Sequence, residues 1–187
     1  MNCRPVTNKI IEIFLQQGNK RYGVEPVTQL QHALQSATLA NQESGDSQLT
    51  VSALLHDIGH IMDDADISQT LEQNLHDHHE HKAFHWILRN FGSRVADPVR
   101  LHVDAKRYLC TVEPDYIRCL SETSVKSFYD QGGPMSFDEK LEFESERYYK
   151  EAIRLRRWDD KAKDPNKETM NISFFIPFIE DCLLKNK

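Results

Sequence analysis

The run ALLHDIGH, Ala53 to His60, sets His56, Asp57 and His60 directly behind small and apolar residues. Such a run reads as the inward face of a helix, where an unpaired imidazole or carboxylate is costly to bury. Adjacent His56 and Asp57 offer a nitrogen and an oxygen donor to one ion, and His60 follows one helical turn later toward the same side. Nine histidines in 187 residues is an excess, and two more of them lie on apolar stripes: His32 beside Ala33 and Leu34, and His102 after Leu101. Any one alone reads most simply as a hydrogen-bonded core histidine; the set reads as a metal site. Imidazole and carboxylate without thiolate suit iron, and equally zinc, manganese or cobalt. One turn after His102 stands Lys106, and Arg156 lies in RLRRWDDKAK, three residues before Asp159. Cations so placed either pair with acids at the surface or reach an anion inside the cavity.

The elements that must position these groups are helical. Ile10, Ile11, Phe14 and Leu15 form one apolar stripe that Gly18 can close; Leu30, Ala33, Leu34 and Ala37 form a second closed by Gly45. Leu49 to Ile61 reads as a third helix, and Ala83, Phe84, Ile87, Leu88 and Phe91 as a fourth ending at Gly92. Asp97-Pro98 opens a fifth through Leu101, Ala105 and Leu109. QGGP, Gln131 to Pro134, breaks the chain, and Ser136-x-x-Glu139 is a capping box that starts a long charged helix toward Trp158. A last helix is expected over Phe174 to Leu184. Strand alternation is nearly absent, so the expectation is an all-α fold in a single domain, 1–187.

Composition narrows the partners. The net charge is −6, and no long block of Lys and Arg occurs, which argues against nucleic acid. No apolar run approaches the span of a bilayer and no signal-like segment opens the chain, so no membrane is expected and a cytoplasmic protein is. Cys3, Cys110, Cys119 and Cys182 are scattered and read as reduced thiols.

The order His32, His56-Asp57, His79, His102, Asp159 is similar to the ligand order of the HD-domain superfamily in its dinuclear form. The segments TQLQHALQSATLA, HVDAKRYL, LSETSVKSFYDQGGPM and LRRWDDKAK narrow the resemblance. Together they resemble the small HD-domain mixed-valent diiron oxygenases of the PhnZ type, mechanistic kin of myo-inositol oxygenase, over residues 22 to 163. The resemblance implies an HD-domain helical bundle. It also implies two iron ions, Fe(II)/Fe(III), bridged by Asp57: one held by His32, His56, Asp57 and Asp159, the other by Asp57, His79 and His102. HDHHEHKAFH leaves His79 and His81 about equal in helical phase, and the family's His-Glu-x-x-small pattern fits His79.

The reaction so implied is cleavage by O2 of the carbon–phosphorus bond of a 1-hydroxy-2-aminoethylphosphonate or its N-methylated form, giving phosphate and glycine or glycine betaine. Lys106, Arg156, Ser124, His60 and Gln131 would clamp the phosphonate, with Asp57, His60 and Lys106 nearest the chemistry. Tyr22 would cover an iron until substrate arrives, and Glu25 would take the amine. A 2-oxoglutarate-dependent hydroxylase is the expected source of substrate. Two rivals remain: an HD-superfamily phosphohydrolase acting on a small phosphate ester or nucleotide, and a metal-stabilised binding module without turnover.

Overall fold

A computed structural model describes residues 4–62 and 79–184, with the backbone alone described at 4 and over 79–82. Among these residues there are nine α-helices and no β-strand: α1 (Arg4–Gln17), α2 (Gln29–Ser44), α3 (Ser47–Leu55), α4 (His79–Phe91), α5 (Ser93–Val112), α6 (Glu122–Asp130), α7 (Phe137–Ser145), α8 (Tyr149–Lys161) and α9 (Ile176–Cys182). No described helix is long and apolar enough to cross a membrane.

The centre of the bundle is α3. Every residue from Leu49 to Leu55 is buried, because this stretch of the helix is apolar all round and carries only Thr50 and Ser52 as short polar groups. Thr50 and Ser52 return their hydroxyl protons to backbone carbonyls of Asp46, Gln48 and Val95, so the polarity is satisfied within the packing. Around α3 pack Ile10, Ile13 and Phe14 of α1, Ala33, Leu34 and Ala37 of α2, Ile87 and Phe91 of α4, Val95 and Val99 of α5, and Ile179 of α9. A second cluster joins Leu39, Ala40, Leu49 and Ala53 to Leu155 and Trp158 of α8. Fully buried alanines at 37, 40, 53, 105 and 152 let these helices approach closely. The exit of α1 is equally tight: a Cβ on Gly18 would lie 2.3 Å from the Phe14 carbonyl oxygen and 2.9 Å from Leu30 Cβ.

Helix ends follow local chemistry. Thr28 and Gln31 form a capping box at the start of α2, and Gly45 ends it with φ of 62°, a left-handed conformation that glycine adopts freely. The expected Ser136–Glu139 box is present at the start of α7.

Four boundaries differ from the periodicity. The third helix stops at Leu55, and Ile58–His60 form a separate tight turn; Asp57 and His60 line one cavity, His60 at its exposed edge. The fifth begins at Ser93, four residues before Asp97-Pro98, and carries Pro98 inside it. The long charged helix is two, because Glu146 is extended (ψ 133°) and pairs with Arg100 at 2.9 Å, leaving Tyr148 as a buried corner. The last helix is shorter than expected: Ile172–Phe175 form a tight turn before it, and Pro177 sits at its start. In α1 the buried stripe is Ile10, Ile13 and Phe14, whereas Leu15 is exposed.

Candidate metal centre

Four residues from three elements aim donors at one point behind the end of α3. His56 caps α3, Asp57 follows it, His32 comes from α2, and Asp159 comes from the last turn of α8. The Nε2 atoms of His32 and His56 are 3.1 Å apart. Asp57 Oδ2 lies 3.6 Å from the first and 3.5 Å from the second, and Asp159 Oδ1 lies 3.4 Å from His32 Nε2. His102, on α5, brings its Nε2 to 3.7 Å from the other Asp57 oxygen, Oδ1, and His60 Nε2 stands 3.8 Å from that same atom. Asp57 therefore faces two sets of imidazoles with its two oxygens. The His79 backbone opens α4; the side chains of His79 and His81 lie outside the described residues, as do His76 and His78.

The imidazoles are oriented as metal ligands would be. Nδ1 of His32 lies 2.9 Å from the Ala162 carbonyl, Nδ1 of His56 2.9 Å from that of Ala53, and Nδ1 of His102 2.5 Å from that of Val99. A ring that donates its Nδ1 proton to a carbonyl carries its lone pair on Nε2, and all three Nε2 atoms face the cluster. Two such lone pairs 3.1 Å apart, with two carboxylates beside them, call for a cation. Among the described residues, one atom of the buried Asp159, Oδ1, has no hydrogen-bond partner. Ligand atoms of His32, His56 and Asp57 all lie within 4.8 Å of one another, a spacing that fits a metal ion.

Electrostatics agree with that fit. Burial lowers the His56 imidazole to about 4, keeping it neutral. For Asp57 burial is outweighed by His56, then His102 and His60, and the carboxyl is held well below its usual range. Burial likewise opposes ionisation of Asp159 and is outweighed by Arg156 and His32. In His32, Asp159 and Asp57 overcome burial and raise the pKa: the two carboxylates draw positive charge to this spot.

A cavity of about 460 Å³ opens over the cluster, lined by Asp57, His60, His102 and Asp159 and by Tyr22, Glu25, Lys106, Ser124, Gln131 and Arg156. Every cavity residue expected from the sequence is thus brought together. Tyr22 stacks on His32 with ring centroids 4.0 Å apart and planes 15° apart. Burial, then Asp57 and Asp159, raises its phenol well above the usual range. Lys106 donates to Ser127 Oγ at 2.8 Å. Glu25 Oε1 and Gln131 Oε1 are buried acceptors without hydrogen-bond partners among the described residues.

Arg156 departs from a simple anion clamp. Its Nη1 is 2.9 Å from Asp159 Oδ2, while Nε and Nη2 both bond to Asp160. Three of its five N–H donors are engaged, and its first task is to anchor a candidate ligand.

Three contributors were not singled out from the sequence. Lys163 projects into the cavity, with Nζ 2.9 Å from Ser124 Oγ and 3.9 Å from Glu25 Oε1. Ser127 holds Lys106. Gln35 clamps the chain after α8, donating to the Asp164 carbonyl at 2.7 Å and accepting from its N–H at 3.2 Å. Its signal was available: it follows His32 by three residues, on the same face of α2.

No protein-family model matches the chain. It is 38% identical over 174 residues, 93% of its length and 88% of the relative's, to the [1-hydroxy-2-(trimethylamino)ethyl]phosphonate dioxygenase (glycine-betaine-forming) of Leisingera caerulea. It is also 38% identical over 174 residues, 93% of its length and 86% of the relative's, to the hydroxymethylphosphonate dioxygenase of Gimesia maris. With identity at that level along nearly the whole of both partners, and with an inward-facing histidine and carboxylate cluster beneath a cationic cavity, the chain belongs to the phosphonate dioxygenase family.

Proposed function

We propose that the protein is a diiron oxygenase that cleaves the carbon–phosphorus bond of a small 1-hydroxyphosphonate with O2, working as one domain of HD type in the cytoplasm. The observation that carries this reading is one cavity that joins preset ligands for a metal pair to the ammonium groups of Lys106 and Lys163. His32, His56, Asp57 and Asp159 would hold one iron, and Asp57, His102 and His79 the other. Bound iron supplies the site at which O2 is activated and the substrate hydroxyl is held. The reaction balances as R–CH(OH)–PO3²⁻ plus O2 giving R–COO⁻, HPO4²⁻ and H⁺: carbon 1 is oxidised to a carboxylate and the carbon–phosphorus bond breaks.

The chain's own residues bind and orient. Lys106 and Ser124 face the phosphonate oxygens, and behind them lie the two N–H groups of Arg156 that have no partner among the described residues. His60 and Gln131 line the same wall. Tyr22 covers the face of His32. Glu25, with Oε1 lacking a hydrogen-bond partner among the described residues, accepts from a substrate N–H at the far end. A trimethylammonium has no N–H and is held chiefly by aromatic faces, yet among the described residues Tyr22 is the only Phe, Tyr or Trp lining this cavity. These facts favour a primary amine, 2-amino-1-hydroxyethylphosphonate, giving glycine and phosphate. A 2-oxoglutarate-dependent hydroxylase acting on the unhydroxylated phosphonate would supply it.

The test is anaerobic loading with ferrous iron, followed by phosphate assay with and without O2. Phosphate is expected only with O2, in step with its consumption. Release without O2, or with zinc in place of iron, would instead identify a phosphohydrolase, and tight ligand binding with no product a non-catalytic module. Parallel His79→Ala and His81→Ala variants should lose metal only at His79.

A further inference from the structure

Lys163 stands just past the end of α8, and the segment that carries it is pinned from α2: His32 Nδ1 bonds the Ala162 carbonyl and Gln35 clamps Asp164. The helix face that presents a candidate metal ligand therefore also aims Lys163 into the cavity. Its side chain is only 11% exposed.

Counting protons around it fixes the state of Ser124. A hydroxyl has one proton to donate and two lone pairs to accept with. Ser121 caps α6, and its Oγ accepts from the Ser124 N–H at 3.3 Å and from Lys163 Nζ at 3.3 Å. With both lone pairs used, its own proton goes to Ser124 Oγ, 3.2 Å away. Ser124 Oγ accepts that proton and a second from Lys163 Nζ at 2.9 Å. Its lone pairs are then full, and its own proton has no acceptor among the described residues. Lys163 Nζ also stands 3.9 Å from Glu25 Oε1 and 4.0 Å from Asp160 Oδ1.

We infer that Lys163 and Ser121 are positioning residues that lock Ser124 as a hydrogen-bond donor into the cavity, so that this wall receives an acceptor, an anionic oxygen, and rejects a donor such as a substrate ammonium. The lock orients the ligand: the anionic end goes to Ser124 and Lys106, and the amine end is left to Glu25. The hydrogen-bond count stands by itself; only the naming of the anion as a phosphonate rests on the functional reading above.

A double-mutant cycle tests it. Binding of hydroxymethylphosphonate, which has no amine, is measured by anaerobic calorimetry on the metal-loaded protein for wild type, Lys163→Met, Ser124→Ala and the double variant. Each single change should weaken binding roughly 10- to 100-fold, the range for a hydrogen bond to a charged group. The double variant should be within about threefold of Ser124→Ala, since Lys163 acts through Ser124. Metal content should stay at the wild-type level. The same cycle with Ser121→Ala is expected to show a smaller coupling of the same sign, and serves if Lys163→Met fails to fold. The inference is overturned if Lys163→Met costs the same factor with and without Ser124, leaves affinity unchanged, or weakens only amine-bearing ligands. It is also overturned if the wild type does not bind the probe. Binding with the expected coupling but without O2-dependent phosphate release would support the inference while defeating the functional reading.

Discussion

Two cavities of nearly equal size lie on either side of the Arg156–Asp160 ion pair: one of about 460 Å³ over the histidine cluster, the other of about 450 Å³ between Glu113, Tyr116, Cys119, Arg157 and Lys161. One stretch of α8 serves both, Arg156 and Asp159 facing the first, Arg157 and Asp160 the second. They differ in how their charges are satisfied. In the second, exposed Arg157 pairs with exposed Glu113, and Lys161 reaches Glu43 at 3.6 Å, so acids and bases neutralise each other in water. In the first, buried Glu25 and Asp159 and half-buried Gln131 each keep a buried acceptor without a hydrogen bond among the described residues, and buried imidazoles point lone pairs at one another. Volume does not distinguish a site from a crevice; unsatisfied, convergent, desolvated groups do.

That contrast can be broken by mutation. The largest effect is expected from Asp57→Ala, which removes the carboxylate shared by both halves of the cluster: metal content below two ions per chain by elemental analysis, and phosphate release at background. Full loading with retained activity would end the assignment.

Next comes Lys106→Ala, expected to raise KM roughly 100-fold with metal content intact, because the chain loses a largely desolvated cation facing a dianion. The same residue sets a pH dependence. Burial, then Arg156, lowers the Lys106 pKa to about 8. The binding-competent form is protonated, so kcat/KM should fall as pH rises through about 8, and this limb should be absent from the variant.

Glu25→Gln comes third, expected to reduce kcat/KM for 2-amino-1-hydroxyethylphosphonate by more than tenfold and to leave hydroxymethylphosphonate nearly unaffected. Equal loss on both substrates would mean that Glu25 does not receive an amine.

Smaller effects mark the wall between the cavities. Tyr116 donates to Asp160 Oδ2 at 2.7 Å and so steadies the partner of Arg156. Loss of that one hydrogen bond in Tyr116→Phe should cost about 1 kcal/mol, a several-fold drop in activity. Arg157→Ala, in the second cavity, should change activity less than twofold and stability by under about 1 kcal/mol in chemical denaturation, as for exposed ion pairs. A larger effect there would make the second cavity a site as well.

The sequence by itself determined the helical class, because apolar residues recur at the helical period and strand alternation is missing. It also determined the nucleus of the centre, since burying His56-Asp57 behind Ala53–Leu55 demands a partner wherever the chain goes. It could not place the ends of α3, α5 and α7, for a pattern of apolar residues continues through a break when the residues on both sides are buried, as Phe143 and Tyr148 are. Only the tertiary structure decided that Arg156 is committed to Asp159 and Asp160, that Lys163 stands between Ser124 and Glu25, and that Gln35 grips the turn after α8. Those facts depend on where α2, α6 and α8 meet, and each polar group is satisfied or left open by residues distant in the chain: 129 residues separate Gln35 from Asp164. Residue type and local period define which groups can do chemistry. Which protons and charges remain free for a ligand is settled by packing, because only packing shows what has already been neutralised.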